Sequence, residues 1–175
     1  VPVEAPAPAQ AYRRIVVPLD GSRWAESVLP LAARLAKVGD AELLLVHVIP
    51  TPEMIEACPL EAEDKKLRES LIDRNEQAAR IYLDRTKANL SGSGLRVRAI
   101  SLRGEDVRET LSALIQREGV DLAVMSARGH SHQHVSDVPY GTVASYLMAH
   151  CTVPMLVLPS AAGAIPLTVP TDANS

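Results

Sequence analysis

Phenylalanine is missing from this chain, and Trp24 with four tyrosines brings the aromatic share to only 3%. Stacking platforms for single-stranded nucleic acid need aromatic rings, so that class is excluded, and the core must come from Val, Leu, Ile and Ala. The two cysteines, Cys58 and Cys151, form no disulfide framework and no CxxC pair. Cys151, after the last helix, is expected to be buried, and Cys58 to be an exposed, idle thiol. No run of Lys or Arg exceeds two and the formal net charge is -3, so no nucleic-acid partner is expected. No apolar stretch approaches the ~20 residues that span a bilayer, so no membrane partner is expected. The first eleven residues are Pro/Ala-rich, with Glu4 and no Lys or Arg. That is unlike a secretory signal, and a cytoplasmic location is the expectation.

What is present is ordinary for a globular domain: 175 residues, 47% hydrophobic and 22% charged. A chain this long hides roughly 70% of its unfolded surface without metal or disulfide staples. Residues 1–11 read as a flexible arm and 160–175 as an irregular tail, leaving 12–159 as one domain.

Within it, apolar runs alternate with helical periodicity. Arg13 to Asp20 reads as a strand ending in the turn Asp20-Gly21-Ser22. Trp24, Val28, Leu31, Leu35 and Val38 follow at helical spacing up to Gly39, with Pro30 requiring a late start or a kink. Ala41 to Ile49 is a near-continuous apolar run, as in a strand covered on both faces. After a Pro-rich loop, a charged helix over 61–90 is expected to turn Leu67, Leu71, Ile72, Ala79, Leu83 and Leu90 inward. Leu95 to Leu102 is a third strand. A helix with Val107, Leu111, Leu114 and Ile115 inward comes next, ended by Gly119. Asp121 to Ser126 and Val153 to Leu158 are the last two strands, separated by a polar loop (127–140) and a short helix from Gly141 to about His150. Strands separated by helices pair in parallel through crossovers, so the expected fold is a doubly wound α/β sheet.

Ligands of such sheets sit at the carboxyl ends of the strands, where the winding reverses. That places the candidate site between Asp20-Gly21-Ser22 and Ser126-Ala127-Arg128-Gly129 before any family is considered. Gly129 can bring backbone N–H groups close to a phosphate, and Gly141-Thr142 opens a helix whose first N–H groups and dipole favour an anion. Asp20 can accept from a ribose hydroxyl or an adenine amino group. The alternatives are structural: Asp20 as a turn or cap residue, and Gly141-Thr142 as a simple helix cap. No GxxxxGK[ST] occurs, and Gly129-His130-Ser131-His132-Gln133 lacks the final glycine of a nucleophile elbow. His130, His132 and His134 alternate, so an extended segment would point all three one way. They are either a metal site or, with fewer requirements, solvated or phosphate-facing side chains, and no metal ligand is assigned.

These residues resemble the universal stress protein family across 12–159. The resemblance is carried by RRIVVPLDGS (Arg13 to Ser22), LLLVHVI (Leu43 to Ile49), DLAVMSARGHS (Asp121 to Ser131) and YGTVASYLMAHCTVPMLVLP (Tyr140 to Pro159). It implies a five-stranded parallel sheet of order 3-2-1-4-5, of the adenine nucleotide alpha hydrolase type. It also implies a site for ATP or AMP, with or without Mg²⁺. Pro18, Leu19 and Asp20 would line the adenosine end, and Val48 would offer backbone hydrogen bonds to adenine. Arg128, Gly129, His130, Gly141, Thr142 and Val143 would meet the phosphates, the Arg128 fork matching phosphate oxygens. The chain departs from the family's Gly-x-x-Gly turn by placing Ser126 at the first glycine, where a hydroxyl could donate to a phosphate. Its spacer, 130–140, holds eleven residues against the nine of the pattern.

In that strand order Val153, Met155 and Val157 lie on an apolar edge, which invites association unless protected. The family's dimers imply a homodimer joined antiparallel there, with Pro154 and Pro159 limiting the pairing. The functional expectation is a dimeric, nucleotide-binding stress-response regulator with no assigned catalytic residue. A nucleotide-free interaction module and a slow ATP hydrolase are the alternatives.

Overall fold

The computed structural model describes residues 12–52, 62–92, 94–129 and 139–159. The expectations for the arm 1–11, Cys58, the three loop histidines and the tail 160–175 lie outside the described residues. Five strands form one parallel sheet: β1 (Arg14–Pro18), β2 (Glu42–Pro50), β3 (Arg96–Gly104), β4 (Leu122–Ser126) and β5 (Met155–Leu158). Their order is β3-β2-β1-β4-β5, as the resemblance implied. Ile15 is the hinge of the register, lying opposite Leu43 on one side and Leu122 on the other.

Two cores form because both faces of the central strands are apolar. Ile15, Val17, Leu43, Leu45, Leu122 and Val124 point to one face. There they meet α1 (Arg23–Glu26), α2 (Leu29–Gly39) and α3 (Ala62–Ser91). The intervening Val16, Leu44, Val46, Val48, Ala123 and Met125 point to the other face, under α4 (Val107–Arg117) and α5 (Thr142–His150). The period-2 alternation of a strand thus feeds two layers from one apolar run. Helices before β3 cover one face and those after it the other, so the winding reverses between neighbours β1 and β4.

The helical faces differ from the expected ones in two places. The helix expected from Trp24 to Val38 is broken, with α1 ending at Glu26 and Pro30 standing in the first turn of α2, where its missing N–H costs nothing. That break throws Trp24 and Val38 outward, 40% and 90% exposed, while Ala32 and Ala36 are buried. Gly39 is the last helical residue and the left-handed position falls on Asp40 (φ 49°). Gly39 instead allows a close approach, since an added Cβ would lie 3.3 Å from the Tyr12 carbonyl oxygen. In α3 only Ala79, Leu83 and Thr86 are buried, and Leu67 and Leu71 are exposed rather than inward. This 30-residue helix meets the sheet mainly through its C-terminal half. Cys151 is half-buried, with its thiol 3.8 Å from the Ser112 hydroxyl.

Candidate functional site

The tips of β1 and β4 are held by bonds the strands themselves do not supply. The chain continues past β1 as Leu19 N–H donates to the Val46 carbonyl at 2.7 Å. His47 Nδ1 meets the Leu19 carbonyl at 2.7 Å and so carries the proton there. Tyr82 of α3 packs its ring edge-on to His47, with centroids 6.1 Å apart. Burial, and then the nearby Glu26 carboxylate, push the Tyr82 hydroxyl above its ordinary pKa, so it stays neutral. Asp20 Oδ1 accepts the Ser22 N–H at 2.9 Å, and Ser22 Oγ caps α1 by accepting from Ala25 N–H at 3.1 Å. The turn role of Asp20 is therefore present. It engages one carboxylate oxygen in a local Asx turn.

Across the crevice, Ser126 is buried, and its hydroxyl accepts the Arg128 N–H at 3.4 Å, a serine turn that shapes the tip of β4. Gly129 then approaches Asp20 so closely that an added Cβ would overlap the Asp20 carboxylate, with Cγ at 3.3 Å. Any side chain at this position would have to displace the Asp20 carboxylate. Ala127 ties the wall together, its N–H donating to the Leu158 carbonyl and its carbonyl accepting from Gly141 N–H, both at 2.7 Å. Gly141 is extended (φ -70°, ψ 167°) and no side chain caps α5. The N–H groups of Thr142, Val143 and Ala144 have no carbonyl available within the helix, which leaves an electropositive end aimed at the crevice.

These elements enclose a cavity of about 540 Å³, a volume typical of small-molecule sites. Pro18, Leu19, Asp20 and Val48 line one part of it, and Ser126, Arg128 and Gly129 another. Gly141, Thr142 and Val143 complete the nucleotide-site set that the resemblance implied, so each of those residues among the described ones borders this one space, while Gly21 and Ser22 do not line it. His130 lies outside the described residues.

A third wall lies outside the set of residues expected from the sequence. Glu105 and Asp106 after β3, with Val107 and Arg108 in the first turn of α4, also line the cavity. Asp106 caps α4 by accepting the Arg108 N–H at 2.7 Å, and its side chain is paired with the Arg108 guanidinium. That pairing, foremost, draws the Asp106 carboxyl down to about 2. The available signal was Gly104-Glu105-Asp106 after a strand, since the carboxyl-end rule applies to β3 as much as to β1 and β4. Gly104 admits no side chain, because an added Cβ would overlap the Thr110 hydroxyl and lie 3.0 Å from Thr110 Cβ.

A doubly wound parallel sheet with its crevice at the reversal point defines a class of proteins that hold small ligands outside the strand ends. The family model of the universal stress protein family matches residues 11–159, and the chain belongs to that family. A universal stress protein of Methanocaldococcus jannaschii is 24% identical over 147 residues, covering 84% of this chain and 82% of the relative. Among solved structures, universal stress protein UspA from Lactobacillus plantarum superposes with a TM-score of 0.74 at 19% identity, covering 85% of this chain and 99% of its own. A family member from Burkholderia pseudomallei is 28% identical with a TM-score of 0.65, covering 87% of this chain and 99% of its own. Similar folds at lower identity include universal stress proteins solved in complex with cAMP (TM-score 0.59), with dAMP from Archaeoglobus fulgidus (0.55) and with AMP from Arabidopsis thaliana (0.56). Among the described residues, no helix is long and apolar enough to cross a membrane.

Proposed function

We propose that this protein binds an adenine nucleotide, AMP or ATP, between the tips of β1 and β4 and acts as a homodimeric stress-response regulator rather than a fast catalyst. The observation that carries the reading is the meeting, in one cavity, of the Asp20 carboxylate, the side-chain-free Gly129 and the uncapped start of α5. The family members solved with AMP, dAMP and cAMP support it. In this reading Asp20 accepts from the ribose or adenine, the Val48 backbone meets the base, and Pro18 and Leu19 pack beside it. Arg128, Gly129 and the first-turn N–H groups of α5 hold the phosphates. Ser126 keeps a serine where the family pattern has glycine, and its hydroxyl serves the β4 turn. Isothermal titration of ligand-stripped protein with ATP, ADP and AMP should give binding heat to one site per chain. No heat at millimolar nucleotide would end the reading. The same samples, followed for phosphate release, test the hydrolase alternative.

The dimer half of the proposal rests on the contrast between the two sheet edges. β3 carries Arg96, Arg98 and Arg103, charges that discourage edge pairing, whereas β5 reads Met-Leu-Val-Leu. Pro154 and Leu158 both direct their carbonyls to the β4 side, accepting from Ala123 and Ala127. β5 starts at Met155 rather than at the expected Val153, and by strand alternation Met155 and Val157 direct theirs outward. A second copy laid antiparallel along β5 would satisfy these groups. Light scattering after gel filtration should give twice 18.8 kDa. Val157→Pro deletes one outward N–H on an edge that tolerates proline and should give the single-chain mass. A monomeric unaltered chain would remove the dimer.

A further inference from the structure

Arg108 is the cavity-lining cation that the family resemblance did not nominate, and its surroundings are unusual. Its Nε donates to Asp106 Oδ1 at 3.0 Å and to Oδ2 at 3.2 Å, and Nη2 donates to Oδ2 at 2.5 Å. The guanidinium carbon lies 5.3 Å from the centroid of the Tyr146 ring on α5. Tyr146 in turn stacks on His150, with centroids 4.1 Å apart and planes 18° from parallel. Tyr146 stands four residues after Thr142, so the two lie on one face of α5, one turn apart. The α4 cation is thereby braced over the second turn of the helix whose first turn is the uncapped anion site.

The two partners of the Arg108–Asp106 pair are not equally tied. Asp106 is anchored by its cap bonds to the Arg108 and Glu109 N–H groups, at 2.7 and 3.4 Å, whatever the guanidinium does. The Arg108 side chain is 45% exposed and can turn about its own stem. The pair is bidentate but partly exposed, so solvent screens it, and a more highly charged phosphate oxygen can offset the contacts given up. A phosphate matches the guanidinium fork as a carboxylate does and carries more charge.

We infer that Arg108 is a specificity-determining residue of the crevice, which leaves Asp106 to grip the outer phosphates of the ligand and so favours a nucleoside di- or triphosphate over the monophosphate. A phosphate chain that starts at Gly129 and passes the first turn of α5 is met there by a second cation, brought by α4. Tyr146 limits how far the guanidinium can stray, which keeps the ordering cost of the exchange small. The inference rests on the nucleotide reading of the same cavity and goes beyond it in naming the phosphate count and the selecting residue.

Titration calorimetry on the full chain with ATP, AMP and adenosine tests it. Arg108→Gln should weaken ATP by roughly tenfold, the scale of one charge-assisted hydrogen bond, and leave adenosine unchanged. Asp106→Asn keeps a capping side chain but removes the carboxylate competitor, so ATP should bind severalfold more tightly. A gain that came only from removing a negative charge beside an anion would persist without Arg108. The double variant separates the two causes, because the gain should vanish in Asp106→Asn/Arg108→Gln. The inference is overturned if Arg108→Gln binds ATP as tightly as the unaltered chain, or weakens all three ligands by one factor. If the unaltered chain binds none of the three, the nucleotide reading itself falls. If it binds them and Arg108→Gln changes nothing, only the assignment of Arg108 falls.

Discussion

Gly129→Ala should lose at least roughly tenfold in nucleotide affinity while its melting temperature stays close to that of the unaltered chain. The added methyl would overlap the Asp20 carboxylate, whose Cγ is already within 3.3 Å of the position. Turning the Asp20 carboxylate aside disturbs the bond its Oδ1 accepts from the Ser22 N–H, which sets the turn after β1. Either that bond breaks or the tip of β4 backs off, and both open the gap in which the ligand is to sit. The losses of binding hydrogen bonds are each worth on the order of 1–2 kcal/mol, and a factor of ten is 1.4 kcal/mol. Both cores lie beneath this point, so the fold should hardly register the change. Titration calorimetry and a thermal melt of one variant decide the matter. Unaltered affinity would show that the contact between the tips plays no part in binding.

Leu147→Ala carries the largest expected effect on stability. Leu147 is completely buried in the core formed by Val16, Leu44, Val46, Leu111 and Ala123. Truncating a buried leucine costs about 2–5 kcal/mol, through lost transfer energy and the cavity left behind. In a chain of this size each kcal/mol moves the melting temperature by about 2–4 °C, so a fall of roughly 10 °C is expected. Met148→Ala, at a neighbouring position that is 41% exposed, should stay within about 0.5 kcal/mol of the unaltered protein. If the two variants melt together, α5 is not docked on the sheet as described. Loss of that docking would also misplace Gly141, Thr142 and Val143.

The strands were legible because their signal is local. A run such as Leu43-Leu44-Leu45-Val46 is apolar at every position, and only a strand covered on both faces uses all of it. The helical faces were less so. Trp24 and Val38 fit the period of one helix, yet the chain breaks between Glu26 and Leu29, and the small side chains of Ala32 and Ala36 let α2 approach the sheet instead. Periodicity counts large apolar residues and undervalues alanine. Leu67 and Leu71 show a second limit, since a stripe on a long helix is buried only where another layer lies beneath it.

Within the site, Asp20, Gly129 and Gly141-Thr142 could be named from the rule that ligands sit at strand ends, because each follows or opens an element visible in the sequence. The same rule reaches Glu105 and Asp106 after β3, but not the placing of Arg108 against α5. That placing depends on α4 crossing to the face shared with α5, which brings Arg108 over Tyr146 although 38 positions separate them in the chain.

By itself, then, the order of residues determined the alternation of strand and helix, and the two-sided burial that makes the sheet parallel and doubly wound. These follow from where each short stretch hides its apolar side chains. Which strands became neighbours, how closely Gly129 meets Asp20, and that Arg108 joins Arg128 at the cavity were decided only by tertiary packing. They depend on contacts between segments far apart in the chain, and no local pattern of residues encodes such a distance.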